Sequence, residues 1–232
     1  GVKTLEIELF NEVPNGSFRT FYADGTLMTT GQFSNGQRTG TWNENYSDGT
    51  LHLTQDYFLD NKHGKIEEWY NTAGSDQAQK KLEGRYYSGE KDSNWVEWYS
   101  NGSIASHKNY RNGLEEGEYL EYWPETPEQE SSLEELRERK RLKHDSEALD
   151  KRRLKTKGFH IAGNREGEWK TWFPNSLLQS KVNFNKGKQD GLAQEWFNFL
   201  VDSQHVLKLE GKYANGFQEG QWQSFYRDGK TE

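Results

Sequence analysis

One short pattern recurs through the chain and fixes most of what it can become. It is a pair of adjacent aromatic residues, one further residue, then Asp-Gly or Asn-Gly. It reads Phe21-Tyr22-Ala23-Asp24-Gly25, then Asn45-Tyr46-Ser47-Asp48-Gly49, Trp98-Tyr99-Ser100-Asn101-Gly102 and Phe225-Tyr226-Arg227-Asp228-Gly229. Looser copies carry Trp69-Tyr70, Tyr122-Trp123, Trp172-Phe173 and Trp196-Phe197. Five residues before each pair sits a Gly or its stand-in: Gly16, Gly40, Gly64, Ser93, Gly117, Gly167, Gly191 and Gly220. The steps between them are 24, 24, 29, 24, 50, 24 and 29 residues. The long steps are register-keeping insertions, near 74–80, near 199–206 and, the largest, between Pro124 and Gly158. A turn signal returning in phase along a chain marks a repeat architecture, here one repeat domain over residues 1–232 with about eight units starting near those glycines.

Each unit reads as two strands. The first carries aromatics at positions one, four and five, as in Trp95-x-x-Trp98-Tyr99 and Trp169-x-x-Trp172-Phe173. Asp-Gly between alternating segments predicts a type I′ hairpin turn, which needs positive φ at both central residues. The second strand alternates, Leu27, Thr29, Gly31 and Phe33 facing one way and Met28, Thr30 and Gln32 the other. A second turn follows at Asn35-Gly36, Asn112-Gly113, Lys186-Gly187 and Asn215-Gly216, and four residues after its Gly comes the next unit's Gly. The expected fold is therefore all-β, an elongated antiparallel meander of tandem hairpins. At ~4.8 Å per strand, eight units would extend roughly 75–80 Å.

Composition agrees with thin β-structure. Hydrophobic residues make only 31% of the chain while aromatics reach 14%, which separates it both from a thick-cored globule and from a disordered chain. The net charge of -7 lacks the concentrated positive field that nucleic acid or an acidic membrane requires. There is no Cys, so disulfides and thiolate chemistry are excluded. No apolar run approaches the ~18 residues of a membrane helix. A chain that begins at Gly1 is read as soluble, either cytoplasmic or the mature form of an exported protein.

Catalytic patterns are not legible. The six His have no ligand-like spacing, and the glycines punctuate turns instead of cradling phosphates, so no metal or cofactor is expected. Glu44, Glu68, Glu97, Glu121 and Glu195 recur at position three. They read as a solvated ladder, because acid–base pairs belong to one distinctive cleft. Position four points to the face opposite position one, where strand-two neighbours such as Thr30/Gln32, His107/Asn109 and Lys181/Asn183 are polar. Rings without apolar neighbours need another reason to be there. Phe21, Trp69, Trp98, Tyr122, Trp172, Trp196 and Phe225 are thus the candidate partner-binding row.

Residues 125–157 break the pattern. Ser132 and Glu135 fit a capping box, and Glu135/Arg139 and Glu147/Lys151 are helix-supporting pairs. Leucines are too sparse for a coiled-coil seam. A charged helical or disordered insertion is expected, a solvated protrusion foremost, with a partner-binding arm or a lid as the alternatives.

The units resemble the MORN-repeat superfamily, and within it the variant labelled the YwqK-type antitoxin family. Gly167-Glu168-Trp169-Lys170-Thr171-Trp172-Phe173 and Phe33-Ser34-Asn35-Gly36-Gln37-Arg38-Thr39-Gly40 carry the likeness, while Asn45 and Ala193 depart from it. The resemblance implies a non-catalytic scaffold for protein–protein contact, with a toxin as the implied partner. An aromatic-repeat binder of a small ligand or glycan is the alternative. It rests on a loose likeness of Phe21–Gly31 to choline-binding cell-wall repeats.

Overall fold

A computed structural model describes residues 3–71, 78–125 and 154–232. They form a 17-stranded antiparallel meander, with no helix among the described residues. The strands group into two compact units, Gly1–Ile104 with Tyr110–Leu114, and Ala105–Asn109 with Glu115–Glu232.

The first unit holds β1 (Leu5–Phe10), β2 (Val13–Phe21), β3 (Leu27–Ser34), β4 (Gln37–Asn45), β5 (Leu51–Phe58), β6 (Asn61–Trp69), β7 (Lys80–Tyr87) and β8 (Glu90–Trp98). Each pairs antiparallel with the next. The residues of β9 (Ile104–Arg111) divide between the units, and the short β10 (Leu114–Glu115) follows it. The second unit continues with β11 (Gly117–Tyr122), β12 (Leu154–Ile161), β13 (Asn164–Trp172), β14 (Leu178–Asn185), β15 (Lys188–Val201), β16 (Gln204–Ala214) and β17 (Phe217–Ser224). These too pair in sequence order. β1 precedes the first expected unit and pairs with β2 as a second strand would.

The two turn families differ. Asn35-Gly36 and Asn112-Gly113 have positive φ at both residues, as a type I′ turn demands. The Asp-Gly turns do not, which corrects the sequence expectation. At Tyr22–Thr26 only Gly25 has positive φ; Gly25 N–H bonds Tyr22 C=O at 2.9 Å and Tyr22 N–H bonds Thr26 C=O at 2.8 Å. This is the three-residue loop, a type I turn closed by a glycine bulge. Asp24 selects it by accepting the Thr26 N–H at 2.9 Å, and Asp48 does the same for Thr50.

The unit-leading residues share one conformation. Gly16, Gly40, Gly64, Ser93, Gly117, Gly167, Gly191 and Gly220 all have positive φ, the region a side chain resists. Nearby the register slips, for example between Thr30 and Gln32 of β3 and between Gln55 and Tyr57 of β5, so the first strand bulges there.

A second slip separates positions three and four in six first strands, as at Thr20/Phe21, Glu68/Trp69 and Glu195/Trp196. It places Leu27 opposite Phe21, Leu178 opposite Trp172 and Leu207 opposite Trp196. The simple alternation that assigned Leu27 and Leu178 to the other face fails at this bulge, and position four gains an apolar neighbour. The expected insertion at 125–157 is also shorter, since 154–157 belong to β12. Residues 126–153, including the proposed helix, lie outside the described residues.

Candidate functional site

A sheet one layer thick must build its core on its own surface. The rings at position one interlock with the aromatics of strand two. Phe18 meets Phe33 edge-on at 5.4 Å, and Phe33 meets Trp42 at 5.1 Å. Tyr86, Trp95 and Tyr110 make a second run, at 5.2 and 5.8 Å. In the other unit His160 lies 4.9 Å from Trp169, which then meets Phe184 at 6.1 Å. Edge-to-face contact suits the ring quadrupole and adds to area burial. Trp95 and Trp169 are the deepest rings, 3% and 4% exposed. The position-one aromatics are core, as the sequence suggested.

Their seats are glycines. A Cβ built on Gly31, Gly84, Gly158 or Gly211 would lie 2.2–2.4 Å from the indole of Trp42, Trp95, Trp169 or Trp222, eleven residues on in each case. Where the tryptophan is missing, the seat is filled instead. Gln55 pairs with Ile66, Val182 with Ala193, and Ile7 with Phe18. Tryptophan-on-glycine hairpins thus alternate with the others along the chain. The others carry a different device, a side chain eight residues before the leading Gly. Glu8 accepts the Ser17 N–H and hydroxyl, both at 2.9 Å. Asp56 accepts Lys65 N–H at 2.9 Å and the Thr41 hydroxyl at 2.7 Å. The sequence reading missed this two-unit period, although the eleven-residue Gly–Trp spacing carries it.

Cations roof several of the rings. They stand four residues before position one. Arg38 lies 4.1 Å over Tyr57, Lys62 4.9 Å over Tyr86, Lys91 4.3 Å over Trp95, and Arg165 4.4 Å over Trp169. Their long stems cover ring surface that a second layer would otherwise cover. Glu115 takes the same place in the hairpin of Tyr119, 3.2 Å from His160 Nε2. Burial pushes the His160 imidazole below its ordinary range, Glu115 opposes this, and Arg165 adds to it.

The second-turn edge is tied into a ladder. Gly36 N–H bonds Pro14 C=O at 2.7 Å, Gly89 bonds Lys62 at 2.8 Å, and in the other unit Gly187 bonds Arg165 at 2.9 Å. Position five supplies another. Tyr22, Tyr46 and Tyr70 donate their hydroxyl hydrogens to the carbonyls of Asn45, Trp69 and Trp98, at 2.6, 2.8 and 2.9 Å. The Trp123 indole does the same to Trp172 C=O at 3.0 Å. Each bond joins one unit's fifth residue to the next unit's fourth.

The position-four row is neither core nor fully exposed. Phe21, Trp69, Trp98, Trp172, Trp196 and Phe225 are half-buried, and Tyr122 is buried at 6% exposure. Lys80 is the cross-strand partner of Trp69, and its Nζ lies 5.8 Å over Trp98. Trp196 lies in an open groove of about 440 Å³ with Phe173, Phe197, Gln179, Asn198 and Lys208.

Three of the position-three carboxylates pair with lysines of strand two. Glu68 meets Lys81 at 2.6 Å, Glu121 meets Lys155 at 3.0 Å, and Glu195 meets Lys208 at 3.4 Å. Lys170 and Lys181 hydrogen bonds hold Glu168 below the usual carboxylate range. At Glu67, burial pushes the pKa up, but bonds from Lys65 and Lys80 outweigh it. Such a ladder spreads charge along the sheet and gathers no reactive pair. Among the described residues no cluster of His, Asp and Glu is arranged to hold a metal ion, and no helix is long and apolar enough to cross a membrane.

Among curated proteins, none matches the chain. Residues 14–35, 91–112 and 165–186 match the family model of the MORN repeat variant. All three windows keep the phase read from the glycines, each opening two residues before Gly16, Ser93 or Gly167. Three matches in the phase of the hairpins show that these hairpins are similar to MORN repeats.

Proposed function

We propose that the chain is a non-catalytic scaffold that holds protein on the position-four aromatics of each unit by itself, Trp69 and Trp98 in the first and Trp172 and Trp196 in the second. The observation that carries this reading is the difference between two ring rows in the same strands. Trp42, Trp95 and Trp169 at position one are seated on glycine and buried, whereas the position-four rings of Trp69, Trp98, Trp172 and Trp196 are only half-buried. Rigid, partly exposed tryptophans supply contact area at low entropic cost. The groove beside Trp196, with Phe173 and Phe197, is large enough for one anchoring side chain of a partner.

The narrower form of the reading makes that partner a toxin, on the strength of the resemblance to the antitoxin variant. Co-expression with the product of the neighbouring reading frame tests it. A stable complex, and relief of any growth arrest that product causes, are the expected results. The wider form is tested by photo-crosslinking from position 196 or 98. Trp196→Ala and Trp98→Ala, in the chain without crosslinker, should each weaken binding of the partner so identified by about 2 kcal/mol. Loss of binding only in variants that also unfold would reject the row as a contact surface.

A further inference from the structure

The cation roof covers four of the eight hairpins, and Pro14, Glu115, Gln189 and Gln218 hold the same place before Phe18, Tyr119, Ala193 and Trp222. Arg38, Lys62, Lys91 and Arg165 each stand four residues before position one and lie over the aromatic of the following strand or over the tryptophan itself. In the β15–β16 hairpin that place belongs to Gln189, and position one is Ala193. The nearest counterpart is the β6–β7 hairpin, where Lys62 covers Tyr86 and position one is Ile66. Here the cation is replaced by a neutral amide and the side chain beneath it has shrunk to a methyl group. What remains is a notch of about 90 Å³, lined by Val182, Ala193, Leu209, Tyr213, Gln189 and Glu195.

The chemistry of the notch is one-sided. Tyr213 supplies a ring whose neighbour Trp222 packs edge-on at 5.0 Å. Glu195 brings a carboxylate, half-exposed and only loosely held by Lys208 at 3.4 Å. Gln189 and Gln218, also on the lining, bring amide oxygens, and no Lys or Arg lines the space. A ring face, a carboxylate and amide acceptors without a cation are complementary to a planar cationic donor.

We propose that this notch takes a guanidinium from outside the chain, in the position that an Arg or Lys of the chain occupies over Tyr57, Tyr86, Trp95 and Trp169. The guanidinium stacks on Tyr213 and bonds Glu195 and the glutamine oxygens. An arginine of a partner protein and free arginine share this chemistry. The proposal does not depend on the aromatic row, because its test uses small molecules alone.

The test is a titration of the intact chain, followed by the NMR signals of the Ala193 methyl group and the Trp222 indole N–H. N-acetyl-arginine methylamide should shift both signals saturably in the millimolar range. Its neutral isostere, N-acetyl-citrulline methylamide, should bind at least about tenfold more weakly. Free L-arginine is the third arm. Tighter binding of the blocked amide assigns the site to a partner chain, and tighter binding of the free amino acid assigns it to a small molecule. Gln189→Lys, copying Lys62, should keep the fold and weaken binding of the arginine probe at least about tenfold by restoring the chain's own cation. Ala193→Val, which narrows the notch, is the second variant and should weaken both sources alike. Equal binding of the citrulline compound, no saturable shift with either arginine probe, or binding that survives Gln189→Lys in a folded protein would each overturn the proposal.

Discussion

The hairpins β7–β8 and β14–β15 share one turn pattern and divide their volume in opposite ways, the register slipping at Gly84 in the first and one place later, after Val182, in the second. In the first, Gly84 is bare and Trp95 fills the space above it, 3% exposed. In the second, Val182 and Ala193 face each other across the pair and share the space between them. The difference teaches how a single-layer sheet packs without a second layer. The unit of packing is the cross-strand pair, so either strand can supply the bulk provided the other yields. It also shows why the pairs are not equivalent. A tryptophan reaches past its own strand to the ring of the next, whereas Val182 and Ala193 end at the sheet. The connected ring row is therefore interrupted at Ala193, the place where the notch opens.

The largest effect should come from removing the bulk. Trp95→Ala and Trp169→Ala should each cost about 3–5 kcal/mol, read as a shift in the urea midpoint. Trp98→Ala, half-exposed in the same strand as Trp95, should cost clearly less. Equal losses would erase the distinction between the two rows. Adding bulk to the seat is the next test. Gly84→Ala puts a Cβ 2.4 Å from the Trp95 indole and should cost about 1–3 kcal/mol. That loss should largely vanish in a Trp95→Ile background, which copies the Gln55–Ile66 pair. Strict additivity in this double-mutant cycle would mean that the two residues do not share one space.

Two hairpins without the Gly–Trp pair should depend on a carboxylate, Glu8 in one and Asp56 in the other. Asp56→Ala leaves Lys65 N–H and the Thr41 hydroxyl without their acceptor and should cost about 1–3 kcal/mol. Gln32, the equivalent residue in a tryptophan hairpin, makes no comparable pair of bonds, so Gln32→Ala should be nearly silent by the same measurement.

How far the sequence disclosed these differences varies with the range of the interaction. Local turn chemistry was legible. Asn35-Gly36 and the leading glycines were visible as punctuation, and their phase located the strands. The Asp-Gly loops were misread because the dipeptide fits two turns, and Asp24 chooses between them through its bond to Thr26. Position four was only partly legible. Strict alternation cannot register a bulge, so the Leu27–Phe21 and Leu178–Trp172 pairings appear only in the folded sheet. The Gly–Trp seat was present as an eleven-residue spacing, hidden because an unseated hairpin separates each copy from the next. The tyrosine ladder depends on where a hydroxyl ends, and no pattern of residue types displays it.

A smaller effect concerns pH. His160 occupies the place that Phe33 and Phe184 take in other units, between Tyr119 and Trp169. Its pKa is depressed in the folded chain, so the unfolded state takes up the proton more readily. The stability it contributes is whole above the ordinary imidazole range and is lost as pH falls through that range toward the folded value. Thermal midpoints should therefore drop between about pH 7 and pH 5, and His160→Phe should flatten that slope. An unchanged slope would assign the effect to other groups. Asp24 and Asp60, held low chiefly by bonds from the backbone N–H groups of Thr26 and Arg38, add a separate loss below the carboxylate range.

The smallest effect should be a gain, and it sets the turn at Leu59-Asp60 against the one at Asn35-Gly36. Both are positive-φ turns, yet Leu59 has φ 50° where asparagine or glycine is at ease. The residue is 43% exposed, so it returns little burial for the strain. Leu59→Asn should raise stability by less than about 1 kcal/mol, the margin by which asparagine tolerates this conformation better. Asp60→Gly should not repeat the gain. Asp60 accepts the Arg38 N–H at 3.0 Å and its guanidinium at 3.2 Å, and that arginine covers Tyr57. Glycine would relax the backbone and release the roof together, leaving the midpoint near its starting value. If Leu59→Asn instead lowers the midpoint, Leu59 packs against something that its exposure conceals, and the turn edge has to be counted as part of the core.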